Sequence, residues 1–326
     1  MSSGEGASGA GGTGGAAHQR GAAHGWVAPG VLGMVHVGAL PGTPRAAWQP
    51  AQIVAQAVQE ARLLAEAGMD GVLIENMHDR PYLKNGIGPE ITACMAAVAA
   101  AVRAAVDLPL GIQILGGGAA EALAVAHACG LQFVRCENFV FAHVADEGLM
   151  DCAQAGPLLR YRKAIGAEGV RVLADIKKKH ASHAITADLD IAACARAAQF
   201  FLADGVVVTG VETGAAVDLV ELRSVRAATD LPVVTGSGAT PESVGTLLEL
   251  ADAVIVGSWI KQDGRWENPV DPARAEAFVR AARGGGTGAA AASHAGAAAH
   301  AAAVSHAGKP AAPPGMAAVR SIFPTR

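Results

Sequence analysis

His36, Glu75, Asp175, Lys179 and His180 are the residues of this chain whose types and positions could move a proton. Each stands near the end of a short apolar run. His36 lies in "VLGMVHV" (31–37), "GVLIEN" (71–76) ends in Glu75 and Asn76, and "VRVLADIK" (170–177) carries Asp175 just ahead of Lys179 and His180. Acid–base work needs carboxylates or histidine with a pKa tuned by a water-poor pocket. Glu75 and Asp175, facing one cavity mouth, would supply it, with His36, Lys179 and His180 orienting or protonating a substrate oxygen. A plainer role competes at each position, because a strand-end carboxylate also caps a helix or pairs with lysine. His36, Glu75 and Asp175 could hold a metal, but their spacing does not demand one, and neither a metal nor a cofactor is expected.

A second chemistry lies in two glycine–serine stretches. "VVTGSGATPESV" (233–244) leaves an apolar run through Gly236, Ser237 and Gly238, and "AVIVGSWIK" (253–261) does so through Gly257 and Ser258. Glycine lets the backbone turn tightly and bring bare N–H groups to an anion. Thr240, Pro241 and Glu242 read as the start of a helix whose positive end would add to the grip. Gly210, closing "GVVVTG" (205–210), and Asn76 join this set as ligand contacts. The expected ligand is a phosphorylated small molecule; the bland alternative is that these glycines only permit tight turns.

The elements that must position these residues follow a regular plan. Eight β-branched runs recur: 31–37, 71–76, 108–115, 131–138, 170–177, 205–210, 231–236 and 253–258. Alanine-rich segments with helical spacing separate most of them, and Gly68, Gly130 and Gly205 stand where a left-handed residue would end a helix. Apolar strands of this length suit a parallel sheet covered by helices, and eight of them predict a (β/α)8 TIM barrel. In that fold the strand C-termini form the active face, and the loops after strands seven and eight often bind phosphate. An open doubly wound sheet would show GxGxxG after its first strand; "HVGALPGTP" lacks it.

Composition bounds the rest. The 326 residues are 51% hydrophobic but only 4% aromatic, so the core is built from Ala, Val, Leu and Ile. A net charge of −4 argues against nucleic acid as a partner. Five cysteines without a CxxC pair point to reduced thiols. "ITACMAAVAAAV" stops at Arg103, short of the roughly 20 residues a bilayer needs, and reads as a packed helix. The Gly/Ala-rich residues 1–30 and the Ala/Gly/His/Pro-rich residues 284–326 are expected to be flexible tails around an ordered 31–283. His18 and His24, and again His294, His300 and His306, recur at six-residue intervals and read as repeat drift. No secretory signal is evident, so a soluble protein of the cytoplasm or chloroplast stroma is expected, not a secreted one. Alanine-rich helix faces pack equally well within or between barrels, which leaves a homo-oligomer open.

Taken together, "MVHVGALPG", "GMDGVLIENMHDRPY", "ADIKKKHAS" and the segment from "VVTGSGATPESV" to "VDPARAEAFV" resemble the BtpA/SgcQ family over roughly residues 31–280. The resemblance implies a ribulose-phosphate-binding-type barrel. It also implies a factor in photosystem I biogenesis and reaction-centre protein accumulation, touching a thylakoid only peripherally. Members among sugar-metabolism proteins suggest instead an isomerase, epimerase or lyase of a phosphorylated, sugar-like substrate. The family pattern carries over to His36, Pro41, Gly42, Glu75, Asn76, Asp79, Asp175, Lys179, His180, Gly236, Ser237, Gly238, Gly257, Lys261 and Asp271. It departs at Gln113, at Gly116, Gly117 and Gly118 (where the family has an asparagine and then an Arg-Asn-Asp stretch), and at Lys177, so a family-typical ligand would meet one altered rim.

Overall fold

Side chains alternate between the two faces of a strand, so a run that must face both a barrel interior and a helical jacket is apolar throughout. The runs read from the sequence form such strands in a computed structural model that describes residues 30–284. The tails outside that range, with the five spaced histidines, lie beyond the described residues.

The strands are β1 (Gly30–His36), β2 (Gly71–Glu75), β3 (Leu110–Gln113), β4 (Phe133–Cys136), β5 (His143–Ala145), β6 (Gly148–Met150), β7 (Arg171–Ile176), β8 (Ala181–Ser182), β9 (Gly205–Val208), β10 (Val233–Thr235) and β11 (Ala253–Val256). Eight of them close in the order β1-β11-β10-β9-β7-β4-β3-β2, and every pair in the ring is parallel. The other three, in the order β6-β5-β8, make a small antiparallel sheet beside the barrel. That sheet was not foreseen from the sequence. The helices are α1 (Pro50–Glu66), α2 (Pro89–Ala105), α3 (Ala119–Cys129), α4 (Ala155–Ala164), α5 (Ile191–Phe200), α6 (Leu219–Ala228), α7 (Val244–Leu250) and α8 (Pro272–Ala282). The fold is thus the expected TIM barrel. Its "ITACMAAVAAAV" segment lies within α2, and no helix among the described residues is long and apolar enough to cross a membrane.

The barrel interior is apolar below and polar above. Leu32, Met34, Leu73, Phe133, Leu173, Val207, Val234, Ala253 and Ile255 form one buried interior cluster. Two residues further along the strands, the period of 2 brings in His36, Glu75, Arg135, Asp175, Thr209, Gly236 and Gly257. The ring of chemistry at the strand C-termini is therefore the layer directly above the hydrophobic plug.

The opposite end is built for stability. Asp70, Asp204 and Asp252 each sit just before a strand and accept an amide from the first two residues of a neighbour: Val31 N at 2.7 Å, Val172 N at 2.9 Å and Val233 N at 2.8 Å. Arg283, Arg162 and Arg226 pair with the same three carboxylates. Buried strand ends keep their hydrogen bonds this way, and the pattern leaves the other face free for function.

Helix starts are also set locally. Asp271 Oδ1 accepts Arg274 N at 3.1 Å and Pro272 follows at the first helical position of α8. Asp271→Ala should cost about 1 kcal/mol in urea unfolding without touching the barrel mouth. Two sequence expectations are corrected. Gly68 and Gly130 do take left-handed conformations, but Gly205 opens β9, and the left-handed residue after α5 is Leu202, with φ of 65°. A side chain at Gly205 would meet Leu173 at 2.8 Å, so this glycine serves strand packing. Helix α7 starts at Val244, because Thr240 to Ser243 close a turn on themselves through Ser243 N to Thr240 O at 3.1 Å.

Candidate functional site

Two adjoining cavities, of about 170 and 240 Å3, open at the strand C-termini and share Glu75, Met77, Arg135, Lys179 and Thr213. The inner one reaches His36 and the loops at 236–240 and 257–259; the outer one reaches Glu137, Glu147, Lys178 and His180. A third cavity, of about 370 Å3, lies behind His36 among Trp48, Gln56, Glu60 and His78, away from the carboxylates of the ring.

Glu75 is the reactive-looking group of the ring. It is buried, and its carboxyl makes no hydrogen bond or ion pair among the described residues. Burial pushes its pKa from 4.5 to about 7, against the pull of Arg135 and Lys179 and with the help of Glu137 and Asp175. A carboxyl poised there can take or give a proton near neutrality.

Asp175 has a different task. It accepts Arg135 Nε at 3.1 and 3.2 Å, both groups being almost fully buried. Burial opposes the guanidinium charge, but Asp175, Glu75 and Glu137 outweigh it and hold Arg135 above its ordinary range. Arg135 is not among the residues expected from the sequence: it shares one face of β4 with Phe133, but only the structure places that face in the barrel interior. Gly236 makes room for it, because a Cβ there would stand 3.2 Å from the guanidinium.

His36 is neutral by construction. Its Nδ1 donates to the Trp266 carbonyl at 2.9 Å, which leaves Nε2 as an acceptor beside Gly257. Burial, reinforced by the Lys261 charge, drives its pKa well below the usual value. Lys261 is wholly buried and pairs with Glu60 at 2.6 Å behind it.

The segment after β7 carries three consecutive lysines with three fates. Lys178 is buried against Glu137 at 2.9 Å, with Glu147 of the β5–β6 hairpin 4.0 Å away. Lys177 turns toward a separate small cavity. Lys179 enters both shared cavities, its backbone held by Thr209 Oγ1 at 3.1 Å. Lys177 and His180 have φ of 45° and 53°, a costly region for non-glycine residues that clusters at functional sites. His180 is exposed at the outer rim, its Nε2 2.9 Å from Thr213 Oγ1.

The glycine–serine loops meet the inner cavity as backbone. Among the described residues the amides of Ser237, Gly238 and Ala239 donate to no acceptor. The Ser237 hydroxyl is already committed, accepting Gly210 N at 2.7 Å and donating to the Ala215 carbonyl at 3.2 Å. Gly210 therefore supports the loop from below, while Gly257 and Ser258 line the cavity. Gly238 is left-handed, and a Cβ on it would fall 2.1 Å from the Ala215 carbonyl oxygen. Asn76 stays out of the cavities. Its amide donates to Asp79 at 2.8 Å and accepts Leu115 N at 2.7 Å, while Asp79 accepts Leu40 N at 2.8 Å.

At the departures from the family pattern, Gln113 is buried beside Glu75 with both amide atoms unpartnered. Gly117 admits the Lys84 carbonyl, 1.8 Å from where a Cβ would stand. No cluster of three or more His, Cys, Asp or Glu with metal-holding geometry occurs among the described residues.

A model of the BtpA family matches residues 28–284. An uncharacterized mitochondrial protein of Caenorhabditis elegans is 42% identical over 257 residues, 77% of this chain and 92% of that one. An uncharacterized protein of Archaeoglobus fulgidus is 38% identical over 254 residues, 78% of this chain and 98% of that one. The photosystem I biogenesis protein BtpA of Synechocystis is 34% identical over 252 residues, 77% and 87% of the two chains.

Proposed function

The chain belongs to the BtpA family, and from that premise we propose that it is an enzyme acting on a small phosphorylated, sugar-like compound by proton transfer. The observation that carries this reading is Glu75, an unpaired buried carboxyl with a pKa of about 7 in a cavity that also holds three uncommitted loop amides. The amides of Ser237, Gly238 and Ala239 suit a phosphate, as such concave runs of N–H groups do elsewhere. Arg135, held in its charged form, adds positive charge nearby. With the phosphate held, Glu75 exchanges a proton with the substrate carbon or hydroxyl, and neutral His36 accepts from a substrate hydroxyl at Nε2. The reaction class is isomerisation, epimerisation or carbon–carbon cleavage.

A thermal-shift screen against phosphorylated sugars, with their unphosphorylated counterparts as controls, tests this. A ligand at 100 times its Kd adds about 2.7 kcal/mol, or roughly 5–10 °C in a barrel of this size. Gly238→Ala should lose that gain, since its Cβ collides with the Ala215 carbonyl and displaces the loop. Equal stabilisation by the unphosphorylated compounds would remove the phosphate grip. A second reading, support of photosystem I assembly, is favoured by the Synechocystis relative's name. The relatives in a nematode and an archaeon, which build no photosystem, favour the metabolic one. Lost reaction-centre protein in a photosynthetic host rescued by Glu75→Gln would favour assembly over chemistry.

A further inference from the structure

Of the lysines at the exit of β7, Lys179 alone reaches the shared cavities without a partner. Lys178 is bound to Glu137, and Lys177 faces away. Among the described residues the Lys179 ammonium makes no hydrogen bond and no ion pair. Burial strengthens a lysine's hold on an anion once that anion is bound, but in the empty cavity it favours the neutral amine. A lysine that serves as a nucleophile needs burial, because the free amine is the reactive form. Here burial, with Arg135 adding repulsion, lowers its pKa despite Glu75, Glu137 and Asp175. Lys177 and His180 near it have positive φ, its backbone N–H is held by Thr209 Oγ1, and its side chain lies where the two cavities join.

We propose that Lys179 forms an imine with the carbonyl carbon of the phosphorylated substrate, which makes that substrate a phosphorylated ketone or aldehyde. The proposal rests on the phosphate-grip reading above. The unprotonated Nζ attacks the carbonyl carbon, the oxygen takes one proton from Nζ and one from the Glu75 carboxyl and leaves as water, and a protonated imine and the Glu75 carboxylate remain. The Glu75 carboxylate then removes the proton from the adjacent carbon, and the C–H electron pair moves into a C=C bond while the C=N electrons settle on nitrogen. Reprotonation by Glu75 on the same face, followed by addition of water, releases product and free Lys179. Epimerisation follows when water supplies the proton from the face opposite Glu75. Cleavage follows instead when Glu75 takes a hydroxyl proton and the carbon–carbon pair moves to the imine.

The full-length protein treated with dihydroxyacetone phosphate or glyceraldehyde 3-phosphate and sodium borohydride tests this, because hydride fixes an imine as a stable secondary amine. Peptide mass mapping should find the adduct at Lys179, suppressed by excess inorganic phosphate and lost in Lys179→Arg, with Lys178 unlabelled. Adduct spread over exposed lysines without competition by phosphate would overturn the proposal. Absence of adduct from compounds that do raise Tm would overturn the imine and leave the phosphate grip standing. No adduct and no Tm rise from any phosphorylated carbonyl compound would remove both.

Discussion

Glu75→Gln yields a barrel that is more stable than the parent at pH 8, equally stable near pH 4, and inactive. The sign follows from its carboxyl, which titrates near 4.5 when exposed and near 7 when folded. Below pH 4.5 both states carry the proton and burial is free of charge. As pH rises from 4.5 to 7 the unfolded chain releases its proton first, so stability falls across that window. Above pH 7 the penalty is complete, roughly 3 kcal/mol at 1.36 kcal/mol per pKa unit. Glutamine keeps the shape and removes the ionisation, and its amide is as unpaired as the protonated carboxyl it replaces, so the difference between the two proteins opens only as the pH rises. Urea unfolding at the two pH values measures the difference. An identical stability change at both would mean that Glu75 does not titrate near neutrality. Turnover by the parent should rise through about pH 7 as the base form appears and then level off.

Arg135→Met should destabilise the protein by about 3–5 kcal/mol, because Asp175 is then left buried without its partner. Glu75 also loses the cation that opposes its upward shift most strongly. Any surviving activity should therefore need a higher pH than the parent requires. The double replacement Arg135→Met with Asp175→Leu separates the two effects. Replacing a whole buried pair by apolar groups is often neutral for stability, so most of the folding loss should return while activity does not. Full recovery of activity in the double variant would assign Arg135 and Asp175 to the fold alone.

The strands and the ring of strand-end residues were legible in the sequence because a parallel barrel imposes apolar runs of fixed length with chemistry at one end. His36, Glu75 and Asp175 all stand at that level. Asp175 could not be told from Glu75, since its partner Arg135 comes 40 residues earlier on another strand. The lysines were equally ambiguous. Whether Lys177, Lys178 or Lys179 enters the cavity depends on how the chain turns after β7, and the left-handed backbone at Lys177 was not readable from residue type. The β5–β6 hairpin escaped notice because its strands are three residues each and their pattern is half exposed. It matters to the site, since it brings Glu147 to Lys178. The glycine–serine loops line the inner cavity, but Ser237 spends its hydroxyl inside the loop, and the groups left without a partner there, among the described residues, are backbone amides.

Proton exchange at carbon tests the account most directly. Each phosphorylated carbonyl compound that raises Tm is incubated with the protein in D2O, and deuterium at the carbon beside the carbonyl is followed by NMR. The parent should introduce deuterium at a rate that climbs through about pH 7, and Glu75→Gln should introduce none while still binding. Carbon-bound hydrogen that stays put in every bound compound, or exchange that continues unchanged in Glu75→Gln, would contradict the assignment of an acid–base site at this barrel mouth.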